Sequence, residues 1–222
     1  MKVINASYEI LTPINGEQIL KSIEKIGRTC YKSEDKITEG SAEKFVRMLV
    51  KNGHEAMIEH EAITVKFICD RGISHEIVRH RMASFAQEST RYANYSKDKF
   101  GNELTFIKPC WFKGIYSDIQ QEPMWYSLDM PIDEKMWLWY CYEAEKYYMK
   151  LLELGWKPEQ ARSILPNSLK TEIIMTANLR EWRHFFKLRC DKAAHLQIRE
   201  LAIPLLEEFK SKIPAVFDDI TY

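Results

Sequence analysis

The chain has 222 residues, 45% of them hydrophobic and 29% charged. That length fits one large domain or two small ones. Its 32 Lys and Arg residues balance 32 Asp and Glu residues, so the formal net charge is zero. No global field therefore attracts nucleic acid or an acidic membrane. We expect neither partner, and we expect any anion-binding site to be local.

The N-terminal residues MKVINASYEI lack a continuous apolar segment, which predicts no signal peptide. No run approaches the roughly 18 apolar residues of a membrane-spanning helix. The five cysteines are far apart in the sequence and show no CxxC spacing. This pattern is typical of reduced thiols in a cytoplasmic protein, without disulfides and without a metal site.

The first half of the chain predicts strands and helices in mixed order. We predict, in turn, a strand between Val3 and Ile10, helices over 17–28 and 41–52, and a strand over 62–69. Ser41 is the expected N-cap of the second helix. Ser74 is expected to cap a third helix that continues to about residue 84.

The second half continues this mixture after a long segment with little periodicity, residues 110–130. We interpret that segment as a lid, an interface loop or a surface insertion. A strand over 104–108 is predicted before that segment. After it we predict a helix over 132–154, a short helix from Pro158, a strand over 168–177, and helices over 179–189 and 193–212, the last of them kinked at Pro204. Regular βαβ alternation is absent, which favours an α+β fold.

Positive charge is concentrated in RHRMASFAQESTR, residues 79–91. Neighbours on a helix point about 100° apart, so Arg79, His80 and Arg81 cannot grip one small ion together. They are suited to two ligands, or to one ligand with several charged groups.

The end of the same stretch is predicted to be non-helical. There the hydroxyl of Ser89, the guanidinium of Arg91 and free backbone amides suit a phosphate. Gln87 and Glu88 add an amide and a carboxylate suited to a base or a sugar.

Three other interpretations of this region stay open or are disfavoured. A solvated basic helix face is the simplest. A nucleic-acid patch is disfavoured because the chain has no net positive charge. A zinc site resembling HExxH is disfavoured because His75 and His80 are five residues apart, so their side chains do not share one helix face.

Arg79-His80-Arg81, followed after seven residues by Ser89, resembles the RHRx7S signature of flavin-dependent thymidylate synthases. Three further segments resemble the same family in the same order: GHEAMIEH at 53–60, EQARSILP at 159–166 and NLREWRHFFKLRCDKAAHLQIRE at 178–200. The resemblance spans most of the chain and is weakest over 110–130.

The resemblance implies reductive methylation of dUMP to dTMP. Bound FAD is the implied cofactor, with NADPH and 5,10-methylenetetrahydrofolate as co-substrates. It also implies a homotetramer with active sites at subunit interfaces. The implied fold is a single α+β domain over residues 1–222, with mixed helices around a sheet that contains antiparallel strands, and it is not a Rossmann fold. The lack of GxGxxG and GxxxxGK[ST] agrees with that.

The resemblance also assigns site residues. The implied FAD contacts are His54, Ala56, Arg79, His80, Arg81, Gln87, Asn178, Arg180 and His184. The implied dUMP contacts are Glu76, Arg79, Gln87, Glu88, Ser89, Thr90, Arg91, Arg162 and Arg189. Arg189 and Ser89 are the implied catalytic residues, Ser89 in a positioning or polarising role. From its sequence context alone, Arg189 could instead form an ion pair with Asp191 or Glu200.

A planar guanidinium at the uracil edge stabilises charge that develops on O4 and N3 when C5 reacts, and lysine lacks that fork. Three positions depart from the pattern of some family members. Glu76 stands for Gln, Gln87 stands for Glu, and Ala56 replaces a hydroxyl residue. The first two departures suggest that a carboxylate has changed place. The alternatives to the synthase are a related flavoprotein or nucleotide-modifying enzyme with another substrate, and a non-catalytic nucleotide-binding module.

Overall fold

A computed structural model of the protein describes residues 1–114 and 130–222. The strands in these ranges are β1 (Lys2–Ile4), β2 (Ser7–Ile10), β3 (Ala62–Asp70), β4 (Ala83–Gln87), β5 (Thr105–Ile107) and β6 (Lys170–Asn178). The helices are α1 (Gly16–Thr29), α2 (Ser41–Lys51), α3 (Arg71–Ile77), α4 (Ile132–Glu153), α5 (Pro158–Ala161), α6 (Leu179–Arg189), α7 (Leu196–Lys212) and α8 (Pro214–Phe217). None of the described helices is long and apolar enough to cross a membrane.

The strands form two sheets. The larger has the order β2-β3-β6-β4, and in the smaller β1 pairs in parallel with β5, Val3 opposite Phe106. Phe106 also forms an antiparallel bridge to Leu169. The α+β class is thereby confirmed. Most of the predicted segment 110–130 lies outside the described residues.

The chain divides into two compact units. Unit 1 comprises Met1–Ser7, Ile68–His75 and Gln87–Ile173, and unit 2 comprises Tyr8–Phe67, Glu76–Ala86 and Ile174–Tyr222. That residues 1–222 act as one domain stays a prediction.

Most predicted elements lie within a few residues of their expected positions. The single N-terminal strand predicted between Val3 and Ile10 is wrong, because β1 and β2 are separate strands that belong to different sheets. The helix over 17–28 is α1, which begins one residue earlier because Asn15 is its N-cap and accepts a hydrogen bond from the backbone N–H of Gln18 at 3.1 Å. The N-cap of α2 is Gly40 and not Ser41. Gly40 has φ 75°, in the left-handed region that glycine enters without strain.

The helix predicted from Ser74 to about residue 84 is wrong. Helix α3 begins at Arg71 and is capped by Asp70, whose Oδ1 accepts from the backbone N–H of Ile73 at 2.7 Å. It ends at Ile77. The backbone pairing of β4 with β6 is a tertiary contact that helical periodicity does not reveal. Residues 79–81 therefore lie in the turn between α3 and β4.

The core of unit 1 fixes the loop after β4. One side of α4 packs into a cluster of buried residues from both ends of the unit. The cluster is Met1, Val3, Ala93, Tyr95, Leu104, Phe106, Phe112, Leu138, Cys141, Tyr148, Ala161 and Leu169. Because Ala93 and Tyr95 belong to it, the preceding residues 88–92 are held on a fixed base.

The core of unit 2 is largely aromatic and sets the rotation of α6. Its fully buried rings are Phe67, Trp182, Phe185, Phe186, Phe209 and Phe217. The indole N–H of Trp182 donates to the backbone oxygen of Ile63 at 3.0 Å. With that face of α6 buried, Arg180, His184 and Lys187 remain exposed on the other side.

The buried guanidinium of Arg183 anchors the C-terminal segment of unit 2. The Arg183 side chain is 2% exposed, and its Nε donates to Glu55 at 2.9 Å. Nη1 and Nη2 donate to the two carboxylate oxygens of Asp219 at 2.6 and 2.7 Å, and Nη1 also reaches the backbone oxygen of Val216. The hydrogen bonds from Arg183 hold the pKa of Asp219 below its usual range.

Replacing Arg183 by Met should therefore destabilise the fold strongly. The carboxylate of Glu55, which is 20% exposed, and the backbone oxygen of Val216 would lose their donor, and each unsatisfied buried group costs about 1–3 kcal/mol. Urea denaturation would measure the loss. The matched control is Arg47→Met, since Arg47 also pairs with the C-terminal segment, at Asp218, but is 44% exposed. We expect that control to lose less than about 1 kcal/mol. Equal losses in the two variants would contradict this account of the anchor.

Candidate active site

Helix α6 carries much of the site, and its first turn is fixed by Asn178. This residue ends β6 and caps the helix, its Oδ1 accepting from the backbone N–H of Glu181 at 2.8 Å. Glu181 therefore occupies the N3 position, where a carboxylate is stabilised by the helix dipole. Its residue surface is 8% exposed.

Four side chains of unit 2 form a continuous chain of hydrogen bonds, which we call the Arg189 network: Glu76, His80, Glu181 and Arg189. Nη1 of Arg189 donates to Oε2 of Glu76, and Nη2 donates to the backbone oxygen of Glu76, both at 2.9 Å. Nε of Arg189 lies 3.1 Å from Nε2 of His80. Nδ1 of His80 lies 3.0 Å from Oε1 of Glu181.

This geometry determines which ring nitrogen of His80 carries the proton. A guanidinium only donates, so Nε2 must accept from Arg189, and the proton must lie on Nδ1, where it is donated to Glu181. Burial, and then the charges of Arg189 and His184, lower the pKa of His80 to about 4. A neutral imidazole makes its contact with Glu181 a hydrogen bond and not an ion pair. Burial also raises the pKa of Glu181.

The nearby His184 does not turn this arrangement into an obvious metal centre. Ligand atoms of His80, Glu181 and His184 all lie within 4.8 Å of one another. Yet both ring nitrogens of His80 already have hydrogen-bond partners, and the nearest cation is the Arg189 guanidinium. The geometry supports a hydrogen-bonded network, and the expectation of no metal site stays a prediction.

A cleft of about 420 Å³ opens beside this network in unit 2. Its lining residues are Glu55, Glu59, Met82, Asn178, Arg180, Glu181, Arg183, His184 and Lys187. Arg180 is 55% exposed there and pairs with Glu59 at 2.5 Å. The lining holds three acidic and three basic residues, and Glu55 and Glu59 are paired with Arg183 and Arg180. The donors that suit a dinucleotide's pyrophosphate are Lys187, the Asn178 amide, the His184 imidazole and the nitrogens of Arg180 that Glu59 does not bind. FAD therefore fits the chemistry of this cleft.

The remaining residues assigned to FAD in unit 2 are exposed, with the exception of His80. His54 and Ala56 lie at the start of the short 3₁₀ helix Glu55–His60, which packs against α6. Arg79 and Arg81 project from the turn between α3 and β4, whereas His80 between them is 3% exposed. The three consecutive residues of the motif therefore do different work: two face solvent and one faces inward.

In unit 1 a second group of cations meets the loop after β4. Nη1 of Arg162 donates to Oγ1 of buried Thr90 at 3.1 Å. Arg91 lies 3.9 Å from Glu159 and is 55% exposed. Ser89 is exposed, and its backbone oxygen accepts from residues 92 and 93. The structure thus brings Arg162, distant in sequence, to the predicted loop of Ser89 and Arg91.

Gln87 and Glu88, by contrast, have internal partners. Nε2 of Gln87 donates to Oγ of Ser74 at 2.9 Å and lies 3.2 Å from Oγ1 of Thr171. Glu88 accepts from the hydroxyl of Tyr95 and from Nζ of Lys170, both at 3.1 Å. The internal hydrogen bonds of both side chains therefore stabilise the loop after β4. Their assignment as ligand contacts stays a prediction.

The departures at 76 and 87 now have separate explanations. The carboxylate of Glu76 forms an ion pair with Arg189 that a glutamine could not form. The amide of Gln87 donates to hydroxyl oxygens, which a carboxylate cannot do. Arg189 pairs with neither of the two partners suggested by its sequence neighbourhood. Sequence reasoning also missed Glu181, although its place three residues after the capping Asn178 was a usable signal.

The depressed pKa of His80 predicts a pH-dependent stability. Its pKa is about 4 in the fold and about 6.5 when unfolded. Between these values the unfolded chain binds more protons, so the free energy of unfolding should fall as pH drops through that window. His80→Gln should reduce this slope in urea denaturation at several pH values. The exposed His60, replaced by Gln, is the control and should keep it. Identical slopes in all three proteins would show that His80 does not titrate as described.

Comparisons with known proteins identify the family of the chain. A family model described as "Thymidylate synthase complementing protein" matches residues 15–215. The chain is 35% identical to the flavin-dependent thymidylate synthase of Pyrococcus furiosus over 84% of this chain and 70% of that protein. It is 32% identical to the one of Geobacter sulfurreducens over 86% and 78% of the two chains.

A solved structure shares the fold. The UMP/dUMP methylase PolB of Streptomyces cacaoi, crystallised with 5-Br dUMP, has a TM-score of 0.75 and 19% sequence identity, over 98% of this chain and 96% of that one. The RHRx7S motif, the matched family model and the identities above 30% lead to one conclusion: the chain belongs to the flavin-dependent thymidylate synthases.

Proposed function

We propose that this chain performs the reaction of its family with the residues described above. That reaction is the reductive methylation of dUMP to dTMP, in which 5,10-methylenetetrahydrofolate supplies the carbon and NADPH supplies reducing equivalents through bound FAD. The observation that carries the assignment is the orientation of Arg189 by Glu76 and His80, on a helix whose first turn lines the FAD-compatible cleft.

Arg189 is the proposed catalytic residue. A guanidinium has five N–H donors, and three of them bind Glu76 and His80. The other two N–H donors are available to a ligand, and the side chain is 18% exposed. We assign them to the uracil edge, where a fixed positive charge stabilises the negative charge that develops on O4 and N3. The low solvent exposure strengthens that interaction.

The cleft of unit 2 is the proposed FAD site. Asn178, Arg180 and His184 line it, and exposed Arg79 and Arg81 add positive charge within the same unit. Their donors and charges suit the pyrophosphate and the polar groups of the flavin. Ala56 offers no hydroxyl, so any hydrogen bond to the flavin that other members make at this position must come from another group here.

The loop of unit 1 is the proposed phosphate site for dUMP. Ser89 offers a hydroxyl, and Arg91 and Arg162 offer guanidinium groups. Thr90 acts indirectly, because it holds Arg162 in place. We assign Ser89 a positioning role and not that of a nucleophile, since a serine nucleophile needs a hydrogen-bonded general base, whereas the Oγ of Ser89 accepts from the backbone N–H of Arg91 at 3.4 Å.

We also propose a homotetramer in the cytoplasm, with active sites at subunit interfaces and residues 1–222 as one functional domain. Several large side chains of α4 support an assembly, because Trp139, Tyr140 and Tyr147 are 41%, 56% and 58% exposed. Aromatic residues are enriched at protein interfaces. Light scattering after size-exclusion chromatography would test the tetramer.

Replacing Arg189 by Lys keeps the charge but removes the fork. We expect kcat for dTMP formation to fall about 10²–10³-fold, the usual loss when one group that stabilises transition-state charge is removed. The flavin absorbance of the purified variant should stay unchanged. Lys192→Ala, which removes an exposed cation three residues away, is the control and should keep full activity. Undiminished turnover in Arg189→Lys would refute its catalytic role. Wild-type protein that takes up no FAD would instead favour a non-catalytic nucleotide-binding module.

Replacing Arg162 by Met should weaken the binding of dUMP by about 10-fold or more, the size expected for a charge-assisted hydrogen bond. The binding of deoxyuridine, which lacks the phosphate, should change little. Isothermal titration of both ligands separates the two effects. Lys150→Met removes an exposed cation elsewhere in unit 1 and serves as the control. Equal losses for dUMP and deoxyuridine would place Arg162 away from the phosphate.

A further inference from the structure

Glu181 has no assigned role, yet it ends the Arg189 network. We propose that Glu181 is a positioning residue for Arg189: by accepting the Nδ1 proton of His80, it leaves Nε2 of His80 as the acceptor that orients the guanidinium. The inference rests on the proposed role of Arg189 in the methylation of dUMP. The reacting groups need not touch Glu181 for this to hold.

The geometry makes the two ends of His80 interdependent. A neutral imidazole carries one proton, so one ring nitrogen donates and the other accepts. The contact at 3.1 Å with Nε of Arg189 requires an acceptor at Nε2. The contact at 3.0 Å with Glu181 requires a donor at Nδ1. The carboxylate and the guanidinium therefore favour the same Nδ1–H tautomer, although the Nε2–H tautomer is the more abundant one in free histidine. Glu181 supplies the acceptor without which the buried Nδ1–H would be unsatisfied.

Packing prevents His80 from satisfying these contacts in another way. Its ring lies 4.9 Å from the ring of Phe185 and 5.5 Å from that of His184, measured between centroids. The side chain is 1% exposed, so water cannot readily replace a lost partner. Glu181 is held in turn, since its backbone N–H binds the side chain of Asn178. This contact fixes the backbone position from which the Glu181 carboxylate reaches His80.

The surrounding charges favour the same state. The groups that face His80 are Glu181, His184 and Arg189 from α6, and Glu76 lies on the other side of Arg189 from α3. A second proton on His80 would place a donor against the N–H of Arg189 and a positive charge beside its guanidinium. Burial and the Arg189 charge keep the imidazole neutral.

This inference gives the central residue of the RHR motif a role different from its neighbours. Arg79 and Arg81 are exposed and available to ligands, whereas His80 points inward and links the motif to the far end of α6. Loss of Glu181 should let the proton move to Nε2, which would then confront the Arg189 donor and displace the guanidinium. A displacement of about 1 Å at a reacting group can cost on the order of 10²-fold in rate.

The test compares Glu181→Leu with Glu181→Gln in the FAD-loaded enzyme. The Leu variant removes the acceptor, whereas the amide oxygen of Gln can still accept the Nδ1 proton. Solid-state NMR of protein labelled with ¹⁵N-histidine reports which ring nitrogen carries the proton. Six histidines contribute signals, and His80 is identified as the one lost in His80→Gln. Steady-state kinetics with dUMP gives kcat and KM, and flavin absorbance gives cofactor content.

We expect an Nδ1–H signal for His80 in the wild type and in Glu181→Gln, and an Nε2–H signal in Glu181→Leu. The Leu variant should lose at least 10-fold more kcat than the Gln variant, with flavin content preserved and a smaller change in the KM for dUMP. An Nε2–H signal in the wild type would overturn the proposal, and so would flavin loss confined to Glu181→Leu, because Glu181 would then contact the cofactor directly.

The result does not depend on the Leu variant being well folded. If Glu181→Leu is insoluble, the wild type and Glu181→Gln still decide the tautomer. A wild type with Nδ1–H that makes no dTMP would refute the proposed function while leaving the assigned hydrogen bonds intact. Equal kcat in all three proteins despite a tautomer change would show that His80 does not position a catalytic group.

Discussion

A buried imidazole that accepts a hydrogen bond from a guanidinium is the constraint on which the candidate site depends. His80 can orient Arg189 only while it is neutral and carries its proton on Nδ1. Burial enforces the first condition and Glu181 the second. Glu76 completes the arrangement by pairing with the outer nitrogens of the same guanidinium. The long, flexible side chain of Arg189 thereby loses its freedom before any ligand arrives, which is how preorganised charge becomes effective in catalysis.

The aromatic core of unit 2 makes this orientation possible. Trp182 and Phe185 fix one face of α6, so that residues one helical turn apart emerge in defined directions. Arg183 adds a second fixed point through Asp219 and Glu55. Three arginines within ten residues of α6 consequently have three environments. Arg180 is exposed in the cleft, Arg183 is a buried structural anchor, and Arg189 is mostly buried and is oriented by Glu76 and His80.

The chain has no net charge, yet it presents cations where the proposed ligands are anionic. It achieves this by giving many of its acidic residues structural partners. Glu88 neutralises Lys170 inside unit 1, and Glu55 neutralises Arg183 inside unit 2. The exposed guanidinium groups of residues 79, 81, 91 and 162 remain as local sources of positive potential. Such local charge acts over about a Debye length, roughly 8 Å at physiological salt, which suits a bound nucleotide better than long-range attraction of nucleic acid.

The sequence by itself determined the main helices and long strands, because their apolar periodicities reflect which face is buried, and it determined the family, because RHRx7S and three other segments occur in order. It also named Arg189, Arg91 and Arg162 as candidate site residues, and their roles stay predictions. Only the tertiary structure decided that α3 ends at Ile77, since the competing strand β4 is stabilised by pairing with β6. It likewise decided that His80 faces inward while Arg79 and Arg81 do not. Only the tertiary structure also showed that Glu181 and Glu76 belong to the same hydrogen-bond network as His80 and Arg189. Hydrogen bonds between residues 101 and 113 positions apart leave no local pattern in the chain, because such contacts form only after the core has fixed the helices that carry them.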